Sequence, residues 1–110
     1  MYITNKVYNQ FRGKNMSSPV QYKAVNLATA TPVSVTTVSS ELISIRPSVV
    51  MSAHAVTVLD GVSGTLVGTL TASSAVTAKF EFDGIVLQKG IQLVPDASST
   101  GTVIVAYRLI

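Results

Sequence analysis

Apolar and polar residues alternate along most of the chain after residue 30. Short stretches such as Val-Ser-Val-Thr (33–36) and Ile-Ser-Ile-Arg (43–46) have an apolar side chain at every second position. This period of two is typical of half-buried β-strands. We predict strands within residues 31–38, 41–46, 49–59, 64–71, 76–83, 85–88, 91–94 and 102–110.

Two of these segments show which face enters the core. Phe80 and Phe82 share one face of the segment 76–83, and Val103, Val105 and Tyr107 share one face of the last segment. Pro47 should end the second strand, and turns are expected where glycine follows a polar residue, at 60–61, 83–84 and 89–90.

The segments follow one another at the spacing of an all-β domain, roughly every 8 to 12 residues. No amphipathic helix long enough to cover a sheet interrupts them. The stretch from Ser18 to Gln21 fits a helix start, with a capping serine followed by Pro19, but it also alternates as a strand, which we favour in this context. We therefore predict an all-β fold, a single antiparallel β-sandwich with jelly-roll-like connections.

Composition adds that the surface is poor in charge. Of the 110 residues 47% are hydrophobic and only 12% charged, about half the charged fraction of an ordinary soluble domain. Weak charge repulsion favours contact with other copies or with a larger assembly. The chain has no cysteine, so a disulfide framework and a thiolate metal site are both excluded.

The positive charge is concentrated at the N-terminus. Residues 1–23 carry four basic residues and no acid (+4), whereas residues 24–110 carry four basic and five acidic residues (−1), which together give the formal +3. We divide the chain into a basic, aromatic arm (residues 1–19) and a sandwich domain (residues 20–110). Either the arm's aromatic rings pack on their own domain, or the arm is extended and docks on a neighbouring subunit through Tyr2, Lys6, Tyr8, Phe11, Arg12 and Lys14.

Catalytic and ligand-binding patterns are weak. The sole histidine, His54, precedes Val56 on what we interpret as one strand face, where a structural histidine is far commoner than a general base. The segment 61–65 lacks the final glycine of a nucleophile elbow. Glu81 and Asp83 could at most bind calcium, and pairing with Lys79 explains them better. We expect no enzyme activity, no cofactor and no metal site.

Two classes of partner are also not expected. Every long apolar stretch is broken by polar residues, and the basic start lacks an apolar segment behind it, so we expect neither a membrane span nor a secretory signal. The arm interleaves cations with aromatics, as single-strand binders do, but at most four phosphate contacts would bind nucleic acid weakly.

The segments after residue 30 resemble a known layout. The strand end Val-Thr-Val-Leu-Asp-Gly (56–61) is followed by Gly-Thr-Leu (64–66), Phe-Glu-Phe-Asp-Gly-Ile (80–85), Gly-Ile-Gln-Leu-Val (90–94) and Gly-Thr-Val-Ile-Val-Ala-Tyr (101–107). This succession is similar to that of small β-sandwich virion proteins of tailed bacteriophages. The resemblance covers residues 31–110 and leaves out the arm.

The resemblance implies a structural role without catalytic residues. The chain would be a capsid decoration or cement subunit on the capsid surface of the virion, assembled in the host cytoplasm. Its partners would be the major capsid protein or other virion proteins, with contacts to further copies of itself. The alternative is a structural or adhesive module of the tail, neck or fibre.

Overall fold

The computed structural model describes residues 18–29 and 31–110, which form two four-stranded antiparallel sheets packed against each other. The prediction of an all-β sandwich is confirmed. Residues 1–17 of the predicted arm, with all six of its named contact residues, lie outside the described residues. The strands are β1 (Gln21–Asn26), β2 (Val33–Thr36), β3 (Ser40–Val49), β4 (Val56–Asp60), β5 (Thr65–Leu70), β6 (Phe80–Leu87), β7 (Ile91–Val94) and β8 (Thr102–Leu109).

The strand order is that of a jelly roll. One sheet runs β1-β8-β3-β6 and the other β2-β7-β4-β5. The first strand pairs with the last, the second with the seventh, the third with the sixth and the fourth with the fifth, all antiparallel. This nesting is a long hairpin of four strand pairs wrapped into two sheets, as the jelly-roll-like connections of the sequence prediction require.

The core lies between the sheets and is aliphatic. Both sheets contribute fully buried side chains, such as Leu42 and Ile45 from β3, Val58 from β4 and Leu93 from β7. The predicted core face of β8 is confirmed, because the three alternating residues Val103, Val105 and Tyr107 are all buried. Phe80 and Phe82 are partly buried against this cluster.

Matching irregularities bend β3 and β6 at the same level. Leu42 and Ser44 face adjacent residues of β8, so Ile43 is an extra residue, a β-bulge. On β6, residues 82–84 lie opposite Ile43 alone, and Asp83 and Gly84 have positive φ angles of 54° and 74°. The prediction of a turn at 83–84 is therefore wrong, because the left-handed pair forms a bulge within one continuous strand.

Three further boundaries differ from the prediction. β3 continues through Pro47 to Val49, because β6 pairs with β3 only as far as Ile45 and the missing N–H of the proline can face that open side. β6 begins at Phe80, after a turn that occupies much of the segment expected to be a strand. His54 lies in the loop before β4 and not within a strand.

At one end of the sandwich, the β4–β5 turn is tied to the β6–β7 turn. The two carboxylate oxygens of Asp60 accept hydrogen bonds from the backbone N–H groups of Lys89 (2.8 Å) and Gln88 (3.3 Å). The N–H of Gly61 donates to the carbonyl of Gly90 (2.9 Å). Buried Gln92 accepts from the N–H of Ser63 at 3.2 Å.

The segment after Ser18 enters a strand, since β1 starts at Gln21, and the strand interpretation of this stretch is confirmed. The described residues contain one short 3₁₀ turn, Leu27–Thr29. None of the described residues belongs to a helix with the length and apolarity that crossing a membrane requires.

Candidate interaction surface

His54 lies in the loop before β4, beside Asp96. Its Nδ1 lies 3.6 Å from Oδ1 of Asp96, and both side chains are partly exposed. Among the described residues no hydrogen bond joins His54 to a serine or threonine hydroxyl; the buried Ser99 hydroxyl instead accepts from the N–H of Asp96 at 2.8 Å. In the part of the chain that the structure describes, no hydroxyl nucleophile is hydrogen-bonded to His54 as a general base would require.

The carboxylates considered for calcium do not converge. Glu81 pairs with Lys79 at 3.0 Å between Oε2 and Nζ, and Asp83 sits in the β6 bulge, which breaks the strand alternation between the two. Within residues 18–29 and 31–110, no group of three or more histidine or acidic side chains is close enough to hold a metal ion.

A shallow depression occupies the outer face of the sheet β1-β8-β3-β6, and we call it the outer trough. Its volume is about 690 Å³. Apolar side chains from three strands and the segment before β1 line it, together with three cations and one serine; the apolar members are Val20, Tyr22, Ile43, Ile104 and Ala106, and the polar ones Ser44, Arg46, Lys79 and Arg108.

Strand register explains both the shape and the composition of the outer trough. Its central row runs across the sheet from Tyr22 on β1 through Ala106 on β8 to Ser44 on β3. Alanine and serine are the shortest side chains of the lining, so the middle of the face is low. In the neighbouring row Ile104 lies opposite Arg46, and in the row on the other side Arg108 lies opposite Glu41. Longer side chains therefore flank a low floor.

The outer trough has a positive charge. Arg108 pairs with Glu41 (3.4 Å between Nη1 and Oε1), and Lys79 pairs with Glu81. Arg46, which is exposed, has no ion-pair partner among the described residues. Three cations against two carboxylates leave one net positive charge at this face. Nε of Arg108 is buried and has no hydrogen-bond partner among the described residues.

The sequence pattern contained a signal for this surface that the strand analysis missed. On β8 the residues that alternate with the core set include Ile104 and Ala106, so this strand is apolar on both faces. Such a strand is typical of a sheet that is covered on both sides. Tyr22 and Lys23, counted with the basic N-terminal residues by charge, lie on β1, where Tyr22 keeps 71% of its surface exposed.

Comparisons with known proteins give no assignment. No protein-family model matches the chain, and no curated protein or solved structure matches it.

Proposed function

We propose that this chain is a structural subunit of a bacteriophage particle, a capsid decoration or cement subunit that binds the coat shell and stabilises it. The observation that carries the proposal is the outer trough, whose apolar lining includes the exposed side chains of Tyr22 and Val20. Exposed apolar patches rimmed by polar groups are typical of protein interaction sites.

The fold is compatible with this role. Jelly rolls recur in viral capsid proteins, although they also occur in lectins and in cupins. Because one fold can host unrelated functions, the proposed role is supported by the surface and by the resemblance of residues 31–110 to phage virion sandwiches. Both favour a protein that binds other proteins.

The physical effect of such a subunit is to hold neighbouring coat subunits together. A subunit that binds only the assembled shell stabilises that shell by mass action, in proportion to its occupancy and affinity. A stable contact of this kind buries about 800 Å² on each partner. The outer trough supplies the apolar centre of such a contact, and the arm, if extended, would add Tyr2, Tyr8 and Phe11 to it.

The test is quantitative mass spectrometry of particles purified from the source. We expect copies of this chain in a ratio near one to one, or one to three, with the most abundant coat protein. Particles stripped of the chain should lose their DNA at a lower temperature, and adding the purified chain back should restore the original temperature. Absence of the chain from particles would refute the proposal.

The arm is tested in the same system. A chain that lacks residues 2–14 should rebind stripped particles less tightly if the arm docks on a neighbour. The matched control replaces the aromatic residues Tyr2, Tyr8 and Phe11 with serine and retains the three cations. Unchanged binding by both variants would show that the arm packs on its own domain or is not used.

One observation favours the second candidate, an adhesive module of the tail, neck or fibre. An exposed aromatic ring in a shallow groove beside polar groups is the arrangement that binds sugars, and Tyr22 with Arg46 presents one. This module would be present at only a few per cent of the coat copy number. Glycan-array binding that is lost in Tyr22→Ala would support it.

A further inference from the structure

We infer that the outer trough binds an extended, acidic segment of a partner protein, with the pattern acid-x-apolar-x-acid. This inference rests on the proposed function, because it names the docking surface and the chemistry that a coat protein would present to it. The composition of the face, its charge and the spacing of its rows support this inference.

Apolar side chains form much of the outer trough. Its two central strands place Ile104, Ala106 and Ile43 on the outside. An apolar side chain of a partner would be favoured on these residues.

The charge of the face selects against this chain's own arm and in favour of an acidic partner. The arm carries Lys6, Arg12 and Lys14 and no acidic residue. The outer trough already has a net positive charge, so a basic segment would be repelled from it. A carboxylate would instead be attracted, because a guanidinium has a planar set of donors that fits carboxylate oxygens in a bidentate manner.

Two guanidinium groups have donors available for such a ligand. Arg46 has no ion-pair partner among the described residues, and Arg108 shares only one contact, at 3.4 Å, with Glu41. The side chain of Arg108 keeps 32% of its surface exposed, whereas its Nε is buried, so a partner carboxylate would contact the exposed part of the guanidinium.

The spacing of the rows sets the spacing of the ligand. Arg46 lies in the row of Ile104, and Arg108 lies two rows further along β8, with the low row of Ala106 between them. Alternate residues of a strand are about 6.7 Å apart, so the two cationic rows are about 13 Å apart. In an extended partner, residues i and i+4 have this separation and residue i+2 lies over the alanine.

The first experiment uses the full chain and two short peptides. Isotope-labelled protein is titrated with Glu-Thr-Leu-Thr-Glu and with its neutral counterpart Gln-Thr-Leu-Thr-Gln, both with blocked ends, and amide chemical shifts are recorded. We expect the acidic peptide to shift Tyr22, Ser44 and Ala106 and to bind more weakly as salt is raised. Equal binding of the two peptides, or shifts confined to other surfaces, would overturn the inference.

Matched variants separate recognition of the peptide by Arg46 from an effect of net charge alone. Arg46→Gln and Lys23→Gln each remove one exposed cation, but only Arg46 lines the outer trough. We expect Arg46→Gln to weaken binding of the acidic peptide about fivefold to tenfold, and Lys23→Gln to change it less than about twofold. Equal effects would mean that only net charge is sensed. Binding that appears only after residues 2–14 are deleted would make the arm the occupant and would also overturn the inference.

Particle binding distinguishes this inference from the proposed function. Ala106→Glu places a carboxylate on the floor, where it blocks the site and competes for its cations; circular dichroism verifies that the variant is folded. If the wild-type chain occupies particles and Ala106→Glu occupies them equally well, the inference fails and the proposed function stands. If the chain is absent from particles but binds the acidic peptide as expected, the proposed function fails and the binding site stands.

Discussion

Replacing Asp60 by alanine should destabilise the domain, although this side chain is not in the core. Its two oxygens accept hydrogen bonds from Lys89 and Gln88 at 2.8 and 3.3 Å, and thereby hold the β6–β7 turn against the end of β4. A hydrogen bond to a charged group contributes about 1.5–3 kcal/mol to stability. Both bonds are exposed, so water partly replaces them, and we expect a total loss of about 1–2 kcal/mol.

Urea unfolding followed by circular dichroism measures this loss. With a slope of about 1–1.5 kcal/mol/M for a domain of this size, the midpoint should fall by roughly 1 M. Asp60→Asn retains one acceptor oxygen and should show about half the effect. Glu81→Gln is the charge control, because it removes a carboxylate from an exposed pair with Lys79 and should cost less than about 0.5 kcal/mol.

The reasoning would be refuted if Asp60→Ala shifted the midpoint no more than Glu81→Gln does. That outcome would mean that the two turns are held together by the backbone bond between Gly61 and Gly90, without help from the carboxylate. An equal effect of alanine and asparagine would show that the charge matters and the acceptor geometry does not.

Three other substitutions, two of them with a matched control, test the packing by the same measurement. Gly90→Ala should cost at least about 2 kcal/mol, because φ is +113° and a Cβ would lie 2.3 Å from a carbonyl oxygen of β2; Gly68→Ala, which meets only the end of an aromatic ring at 3.1 Å, should cost much less. Leu42→Ala should cost about 2–5 kcal/mol, whereas Leu66→Ala, at a side chain that is 59% exposed, should cost under about 0.5 kcal/mol. Tyr107→Phe should cost about 0.5–1.5 kcal/mol through the hydroxyl bond to the first residue of β1, 3.2 Å long.

Much of the fold was predictable from alternation, because a period of two directly reports which side chains a strand buries. The predicted bounds of β7 agree with the structure, and those of β8 differ from it by one residue. The β6 bulge was not predictable, since an Asp-Gly pair favours positive φ in a turn and in a bulge alike. The prediction that Pro47 ends a strand is wrong for a related reason. A proline ends a strand only where a neighbouring strand would require a hydrogen bond from the N–H that proline lacks. The position of that neighbour is a property of the sheet.

The outer trough was less predictable than the strands. Its residues come from β1, β3, β8 and the segments before β1 and β6, and only the strand order brings Tyr22, Ala106 and Ser44 into one row. The apolar outer face of β8 was visible in the sequence, but a single strand does not show which neighbours flank it. Arg46 and Arg108 are 62 positions apart in the chain, so their shared surface depends on tertiary structure.

The pairing of β1 with β8 also constrains when the domain can fold. Gln21 pairs with Tyr107 and Asn26 with Thr102, so β1 has no sheet partner until nearly the whole described chain has been synthesised. Until β8 emerges from the ribosome, β1 and β3 lack the strand that lies between them in the sheet. Folding dominated by such distant pairings is slow, typically milliseconds to seconds. The nascent chain therefore exposes β1 and one edge of β3 until β8 has been synthesised, and this interval is when aggregation competes with folding.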